Sequence, residues 1–299
     1  MLDVVIIGSG PAGITAAIYA KRANLNVAVV EKEYLGTGQI AESSRVDNYP
    51  GIPGIDGYSL GEKFREHAES LGVEFTEAQV LSLGQKDGIW IIGCDEDITL
   101  ESKAVIYATG CKNRPLGVPG EEKYYGRGLS FCAVCDGAFY KGKRVAVIGG
   151  GDTALDDAMY LSDICEKVYL VHRREFFRGS ASTLEKLKQK ENVEIIVNVR
   201  VEEITGDKKI DGIILDNKTK LNISGLFAAV GMIPQTELLK EFGVLDGSNY
   251  VKASEDTKTT VNGLFAAGDV RTKQLRQVVT AAADGANAIY SVMEYLRNI

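Results

Sequence analysis

Cys132 and Cys135 stand mid-chain in the stretch FCAVCDG, with Asp136 directly behind them. A thiol pair at this spacing can close a short loop as a redox disulfide, supply half of a zinc site, or fill buried space. Zinc needs two further ligands. Cys94, Cys111 and Cys165 form no second pair, and His67 and His172 are the only histidines, so the sequence offers no metal site. A redox pair and two inert thiols remain. Asp136 favours the redox pair, because disulfide exchange moves a proton on and off a thiolate and a carboxyl of raised pKa can carry it. Its plainer reading is a turn residue in an Asp-Gly step.

A redox pair needs a source of electrons, and the chain carries two nucleotide-binding patterns. In LDVVIIGSGPAGITAAIYAKRANLNVAVVEK a buried strand runs into Gly8-x-Gly10-x-x-Gly13, then a helix, then a strand ending at Glu31. This is the dinucleotide-binding βαβ unit in its proper context. The glycines permit the turn, the approach of a pyrophosphate and close helix packing. The helix N-terminus faces the phosphates, and the terminal acid accepts ribose hydroxyls. The pattern returns in KRVAVIGGGDTALDDAMYLSDICEKVYLVHRR with Gly149-x-Gly151-x-x-Ala154. At the offset of Glu31 stands His172, followed by Arg173 and Arg174, with Arg178 close behind. A carboxylate there would repel a 2′-phosphate, whereas guanidiniums grip it. The first site therefore suits FAD or NAD and the second NADPH, a pairing found in flavoenzymes that take hydride from a nicotinamide.

Composition sets the frame. With 299 residues the chain is long enough for two domains, and 45% apolar with 25% charged residues suits an ordinary soluble protein. A net charge of −7 argues against nucleic acid or anionic membrane as partners. No apolar run approaches the roughly 18 residues of a membrane span. MLDVVIIGSG has no basic start and reads as a strand entering a turn rather than a signal peptide, so a cytoplasmic location is expected. Five cysteines there fit one catalytic pair and three structural thiols.

Each βαβ segment closes on a short strand, AVIYATG at Gly110 and GLFAAVG at Gly231. The proline-marked stretches 111–115 and 232–236 that follow read as hinges. VNGLFAAGDV and the helical segment opened by Arg276 and Gln277 read as a return to the first domain. The expected fold is α/β, with two Rossmann-like dinucleotide-binding domains, the NADP domain inserted in the FAD domain. Residues 1–113 and 242–299 form the FAD domain, and 114–241 form the NADP domain with its C-x-x-C.

In this order and spacing, GSGPAG, ATG, FCAVCDG, GGGDTA, HRREFFR and GLFAAGDV resemble the low-molecular-weight thioredoxin reductases of bacteria over essentially the whole chain. The cysteine and HRRxxFR motifs are the specific ones, since the glycine motifs are shared by many flavoenzymes. The resemblance implies a homodimer with bound FAD. Electrons would pass from NADPH through FAD and the Cys132–Cys135 disulfide to thioredoxin or a thioredoxin-like protein. Cys135 would face the flavin and Cys132 would attack the partner. Matching positions place Gly8, Gly10, Ala12 and Gly13 at the pyrophosphate turn, Glu31 at the ribose, and Gln39 and Asn48 near the flavin. Asp269 falls in the ribityl-phosphate region and Arg276, Gln277 and Val278 at the flavin ring, with Gly110 and Gly268 as further cofactor-binding positions. Gly149, Gly151, Asp152 and Thr153, with His172, Arg173, Arg174 and Arg178, would hold the nicotinamide nucleotide. The family also implies rotation about the two hinges, bringing nicotinamide and disulfide to the flavin in turn.

Three places depart from the family pattern. Thr37 is interposed in GTGQ, where Gly-Gly-Gln is common. Asp152 puts a carboxylate at a helix start, where it is expected either to cap the helix or to weaken NADPH binding. Gly179 follows Arg178 where alanine is usual. The competing reading is a reductase of the same fold fed by ferredoxin, or one serving a glutaredoxin-like acceptor. Ferredoxin-fed relatives have lost the basic cluster that this chain keeps.

Overall fold

β1 (Leu2–Ile7) sends Val4 and Ile6 into one buried cluster and Val5 and Ile7 into another. A strand buried on both faces belongs inside a covered parallel sheet. β1 lies inside such a sheet in the computed structural model, which describes residues 1–33, 37–43 and 45–299. α1 (Pro11–Arg22) and β2 (Val27–Glu31) complete the first βαβ unit, with β2 parallel to β1. α2 (Gly57–Ser70), capped by Asp56 on the Ser59 amide, leads to β3 (Glu74–Glu77). β4 (Val80–Lys86), β5 (Ile89–Cys94) and β6 (Thr99–Tyr107) follow. The order is β3-β2-β1-β6-β5-β4, antiparallel only at β5 and β4.

β7 (Cys111–Asn113) leads out of this unit. Beyond it come β8 (Leu129–Ser130), the single turn α3 (Ala133–Asp136), β9 (Arg144–Gly149), α4 (Asp152–Ser162) and β10 (Lys167–His172). α5 (Ala181–Lys188) and β11 (Val193–Val197) follow. The second sheet, β11-β10-β9-β15-β8, is wholly parallel, with β15 (Gly225–Ala229) central. β9 repeats the division seen in β1. Val145 and Val147 pack with Leu155 and Leu161 of α4, while Ala146 packs with Ile213 and Leu221 on the other face. Those two belong to an antiparallel meander of β12 (Val201–Thr205), β13 (Gly212–Leu215) and β14 (Lys220–Asn222). Burying each such Leu, Ile or Val side chain is worth about 1.5–3 kcal/mol, which is what drives the layering.

β16 (Met232–Pro234) leads back, followed by β17 (Leu264–Ala266), which pairs with the second half of β6, and α6 (Val278–Leu296). The chain thus divides into two units, Met1–Lys112 with Ile233–Ile299, and Asn113–Met232. The return falls earlier than the 241/242 boundary expected from the sequence. Leu239 and Val244 bury with Trp90 and Ile92 in a core of the first unit, and this apolar burial fixes the crossing at Met232/Ile233. The outgoing and returning segments pair as a two-stranded ribbon, β7 with β16. Among the described residues, no helix is long and apolar enough to cross a membrane.

Candidate active site

The first nucleotide turn is closed by contact on every side but one. Gly8 adopts a φ of 102°, and a Cβ there would lie 2.6 Å from the Ala108 carbonyl oxygen. A Cβ on Gly13 would come within 1.9 Å of the Gly8 carbonyl oxygen, so α1 seats on the turn only without a side chain. Over Gly10 the nearest atom to a Cβ would be 3.9 Å away, at Gly38. That gap, at the uncapped N-terminus of α1, is a cradle for a pyrophosphate. At the tip of β2, Glu31 Oε2 accepts from Ser9 N at 2.9 Å and Ser9 Oγ at 3.0 Å, and Oε1 accepts from Lys32 N at 2.9 Å.

The returning segment completes this site. Gly268 packs so closely on the start of α1 that a Cβ there would lie 2.9 Å from Ala12 Cβ. Asp269 beside it is half-buried, and its Oδ1, buried, has no hydrogen-bond partner. Burial pushes its carboxyl up to about 6, against the opposing charges of Lys273 and Arg276. Asp284 of α6 holds the turn: its Oδ2 accepts from Gly268 N at 2.8 Å, and both oxygens are bridged by Arg271, with Lys273 2.9 Å away. Burial works against the Asp284 charge, but the bonds from Arg271 and Lys273 outweigh it and hold the carboxyl below its usual range. Asn48 Nδ2 donates to Gln277 Oε1 at 2.8 Å, bringing Asn48, Gln277 and Val278 together at the start of α6. Arg276 lies 4.2 Å over the Tyr250 ring and donates to the Asp269 carbonyl. Gly110 accepts from Gln235 N at 3.1 Å, beside the ribbon that leaves the unit.

Thr37 is buried against Gly61, where a Cβ would lie 2.4 Å from Thr37 Cβ. Its Oγ1 is unpartnered. The hydroxyl side chain of the GTGQ segment therefore occupies space that α2 leaves by having a glycine. Gln39 follows, half-buried, and Gly36 lies outside the described residues. The orphaned Asp269 carboxylate, the bare Gly10 cradle and the acid at the end of β2 together fit a bound dinucleotide such as FAD.

The second turn leaves a matching gap. No atom lies within 4 Å of where a Cβ on Gly151 would be. Thr153 is exposed beside it. Asp152 occupies the first position of α4 and does not cap that helix. Its Oδ1 accepts the Ser180 N–H at 2.7 Å and so pins the end of the basic loop. The loop is also clipped by Arg178 N and Gly179 N, both donating to the Gly150 carbonyl oxygen. Gly179 itself leaves no room for a side chain, since a Cβ would meet Asp152 N at 2.8 Å. His172 lies buried under the turn, where a Cβ on Gly150 would come 2.2 Å from its ring, and it stacks on Phe177. Burial keeps the imidazole pKa below its usual value, with further lowering from the three arginines, so His172 is neutral at pH 7. The positive charge thus resides on Arg173, Arg174 and Arg178, which are exposed and in no ion pair among the described residues.

The dithiol lies in the same unit. Cys132 and Cys135 are joined as a disulfide across α3. Cys135 N donates to Cys132 Sγ at 3.2 Å. Gly137 lets this turn sit directly on α4, since a Cβ there would lie 2.7 Å from the Tyr160 ring. Burial pushes the Asp136 carboxyl up, and a 2.6 Å bond from Ser130 Oγ draws it partly back. The other thiols, Cys94, Cys111 and Cys165, are buried and free. Burial pushes Cys111 up to about 12 and Cys165 to about 11, which leaves them unreactive.

Residues 2–285 match the family of pyridine nucleotide-disulphide oxidoreductases. The chain belongs to that family. Within it, the chain is 38% identical to the thioredoxin reductase of Bacillus subtilis (strain 168), covering 99% of this chain and 95% of that one. It is 39% identical to the thioredoxin reductase of Mycoplasma pneumoniae, with 98% and 95% covered. The crystal structure of thioredoxin reductase from Streptococcus pyogenes superposes with a TM-score of 0.94 at 40% identity, covering 100% of this chain and 99% of that one. The family's two Rossmann-like domains are the two units described above.

Several residues of this oxidoreductase site escaped the sequence reading. Ser130, Asp284, Lys273 and Tyr250 are single polar residues outside any motif, and the chain offers no spacing signal for them. Ser130 meets Asp136 six residues on, and Asp284 meets Gly268 sixteen residues back.

Proposed function

We propose that this oxidoreductase is an NADPH-dependent thioredoxin-disulfide reductase. The observation that carries the reading is the formed Cys132–Cys135 disulfide in the unit that holds the second nucleotide turn, edged by three exposed arginines that are in no ion pair among the described residues. Bound in the first unit, FAD supplies the two-electron relay between nicotinamide and disulfide. The Gly10 gap and the α1 N-terminus would hold its pyrophosphate, Glu31 its ribose, and Asp269 Oδ1 a hydroxyl donor. Gln39, Asn48, Arg276, Gln277 and Val278 would flank the ring. Gly149, Gly151 and Thr153 would hold the NADPH pyrophosphate, and Arg173, Arg174 and Arg178 its 2′-phosphate.

Once the pair is reduced, the Cys135 N–H favours a thiolate at Cys132, which attacks the partner disulfide. The sulfur it displaces leaves as a thiolate and takes a proton from Asp136. Cys135 then gives its proton to the ionised Asp136 and attacks Cys132 Sγ, re-forming the disulfide, and the second partner sulfur leaves as a thiolate that takes the proton back from Asp136. Dithiol and second turn share one unit and the first turn lies in the other. Turnover therefore requires the units to alternate their presentation about the β7/β16 ribbon. A homodimer in the cytoplasm, with thioredoxin or a thioredoxin-like protein as acceptor, completes the proposal.

The test is anaerobic titration of the flavin-loaded protein with NADPH and, separately, NADH. NADPH should bleach the flavin absorbance at far lower concentration, and oxidised thioredoxin should restore it. Failure of both nucleotides would overturn the donor and favour ferredoxin. Bleaching without recovery would overturn the acceptor.

A further inference from the structure

Ser130 ends β8, a two-residue strand whose register is fixed by Phe227 of β15, and its side chain is buried. Its hydroxyl is therefore positioned by a sheet, not by the dithiol loop. Three polar groups converge on it. Asp136 Oδ2 lies at 2.6 Å, Cys132 N donates to Oγ at 3.1 Å, and the Cys132 carbonyl oxygen lies at 3.4 Å as an alternative acceptor. A hydroxyl has one rotatable proton and two lone pairs. With Asp136 ionised, Ser130 donates to the carboxylate and accepts from Cys132 N. With Asp136 protonated, the acid donates to Oγ, and the hydroxyl proton turns to the Cys132 carbonyl. Both protonation states are satisfied without moving a heavy atom.

We propose that Ser130 is a positioning residue of the dithiol centre, a hydroxyl rotor that lets Asp136 gain and lose its proton in place while tied to Cys132. The inference rests on the reading of Asp136 as the proton carrier. The titratable groups on the surrounding elements are Cys132 and Cys135 on the same turn, Tyr140 in the following turn, and Tyr160 and Asp157 on α4. Tyr140 is raised by burial and then by the Asp136 charge. Asp136 is in no ion pair among the described residues, so its carboxyl is stabilised chiefly by this one hydroxyl.

The experiment follows the pH dependence of the reaction between the dithiothreitol-reduced, flavin-loaded protein and oxidised thioredoxin. It is run alongside alkylation of the reduced thiols by iodoacetamide, which needs no turnover. Asp136→Asn should remove the carboxyl limb of the exchange profile. Ser130→Ala should move that limb up by about one pH unit, because the ionised form loses its donor. Ser130→Thr, which keeps the hydroxyl, should return it. An unmoved limb in Ser130→Ala, or no restoration by Ser130→Thr, overturns the rotor. If Asp136→Asn leaves the limb in place, the proton-carrier reading itself fails and the rotor falls with it. The alkylation profile separates a shifted thiol from a shifted carboxyl: a limb that tracks the thiols alone also overturns the proposal.

Discussion

Where the first nucleotide turn has Gly13, with no room for a Cβ against Gly8, the second has a buried Ala154. Where the first is overlaid by Gly268 and by α6, whose Gly285 would put a Cβ 2.2 Å from the Ala12 carbonyl oxygen, the second is overlaid by the basic loop, where a Cβ on Gly179 would lie 2.8 Å from Asp152 N. The first strand tip ends in an acid bonded to its own turn. The second ends in a neutral histidine beneath its turn, with the charge displaced outward onto arginines. The same βαβ path is thus covered by a packed helix in one unit and by an exposed, arginine-bearing loop in the other. A helical cover suits a group that stays bound, and a charged surface loop suits one that exchanges at every turnover.

The comparison can be broken most severely at Gly13. Gly13→Val should yield protein without flavin absorbance, read directly in the visible spectrum of the purified chain, because the closed turn cannot admit a side chain. Next in size, Arg173→Ala combined with Arg174→Ala should raise KM for NADPH by roughly 100-fold while leaving that for NADH within about threefold, since each lost charge-assisted bond is worth about 1.5–3 kcal/mol. A third difference lies inside the helices. Counted from the first glycine of each turn, the buried Ala16 of α1 corresponds to Asp157 of α4. Burial, with the nearby Asp156 charge, pushes Asp157 up to about 7 from an ordinary value of 3.8. An acid whose folded pKa is raised costs stability as pH climbs above its unfolded value, and the full cost is present above the folded one. Asp157→Asn should therefore raise Tm most at pH 8, by an amount corresponding to roughly 2 kcal/mol, with the gap closing near pH 4. The smallest effect is expected from Ala154→Gly, at about 1 kcal/mol in urea unfolding with nucleotide selectivity unchanged, because the selecting charge lies on the arginines and not at that methyl.

What was legible in the chain was whatever is written locally. The two glycine turns, the C-x-x-C and the arginines after β10 are each read within about 25 residues, because turn sterics and helix dipoles act at short range. The position of His172 was legible but its role was not. Its offset matched Glu31, yet only the packing of Gly150 and Phe177 shows the ring lying beneath the turn. Asp152 likewise stood at a helix start, where a capping or repelling role was the natural expectation. The bond to Ser180 is made 28 residues away and leaves no periodic trace. The later domain boundary was missed for the same reason. The proline-marked stretch 232–236 contains the crossing, but burial of Leu239 in one core with Trp90 decided which unit the residues after it join.

The chain leaves and re-enters the first unit through neighbouring strands, with Gln235 N bonded to Gly110 O and Arg114 N to Gly231 O. The inserted unit therefore has its two ends side by side, like a cassette between adjacent sockets. A linker of about four residues in its place should leave a flavin-binding shell competent to fold by itself. The same geometry offers a route by which an ancestral single-nucleotide protein could acquire a second substrate in one insertion, without disturbing the sheet that received it.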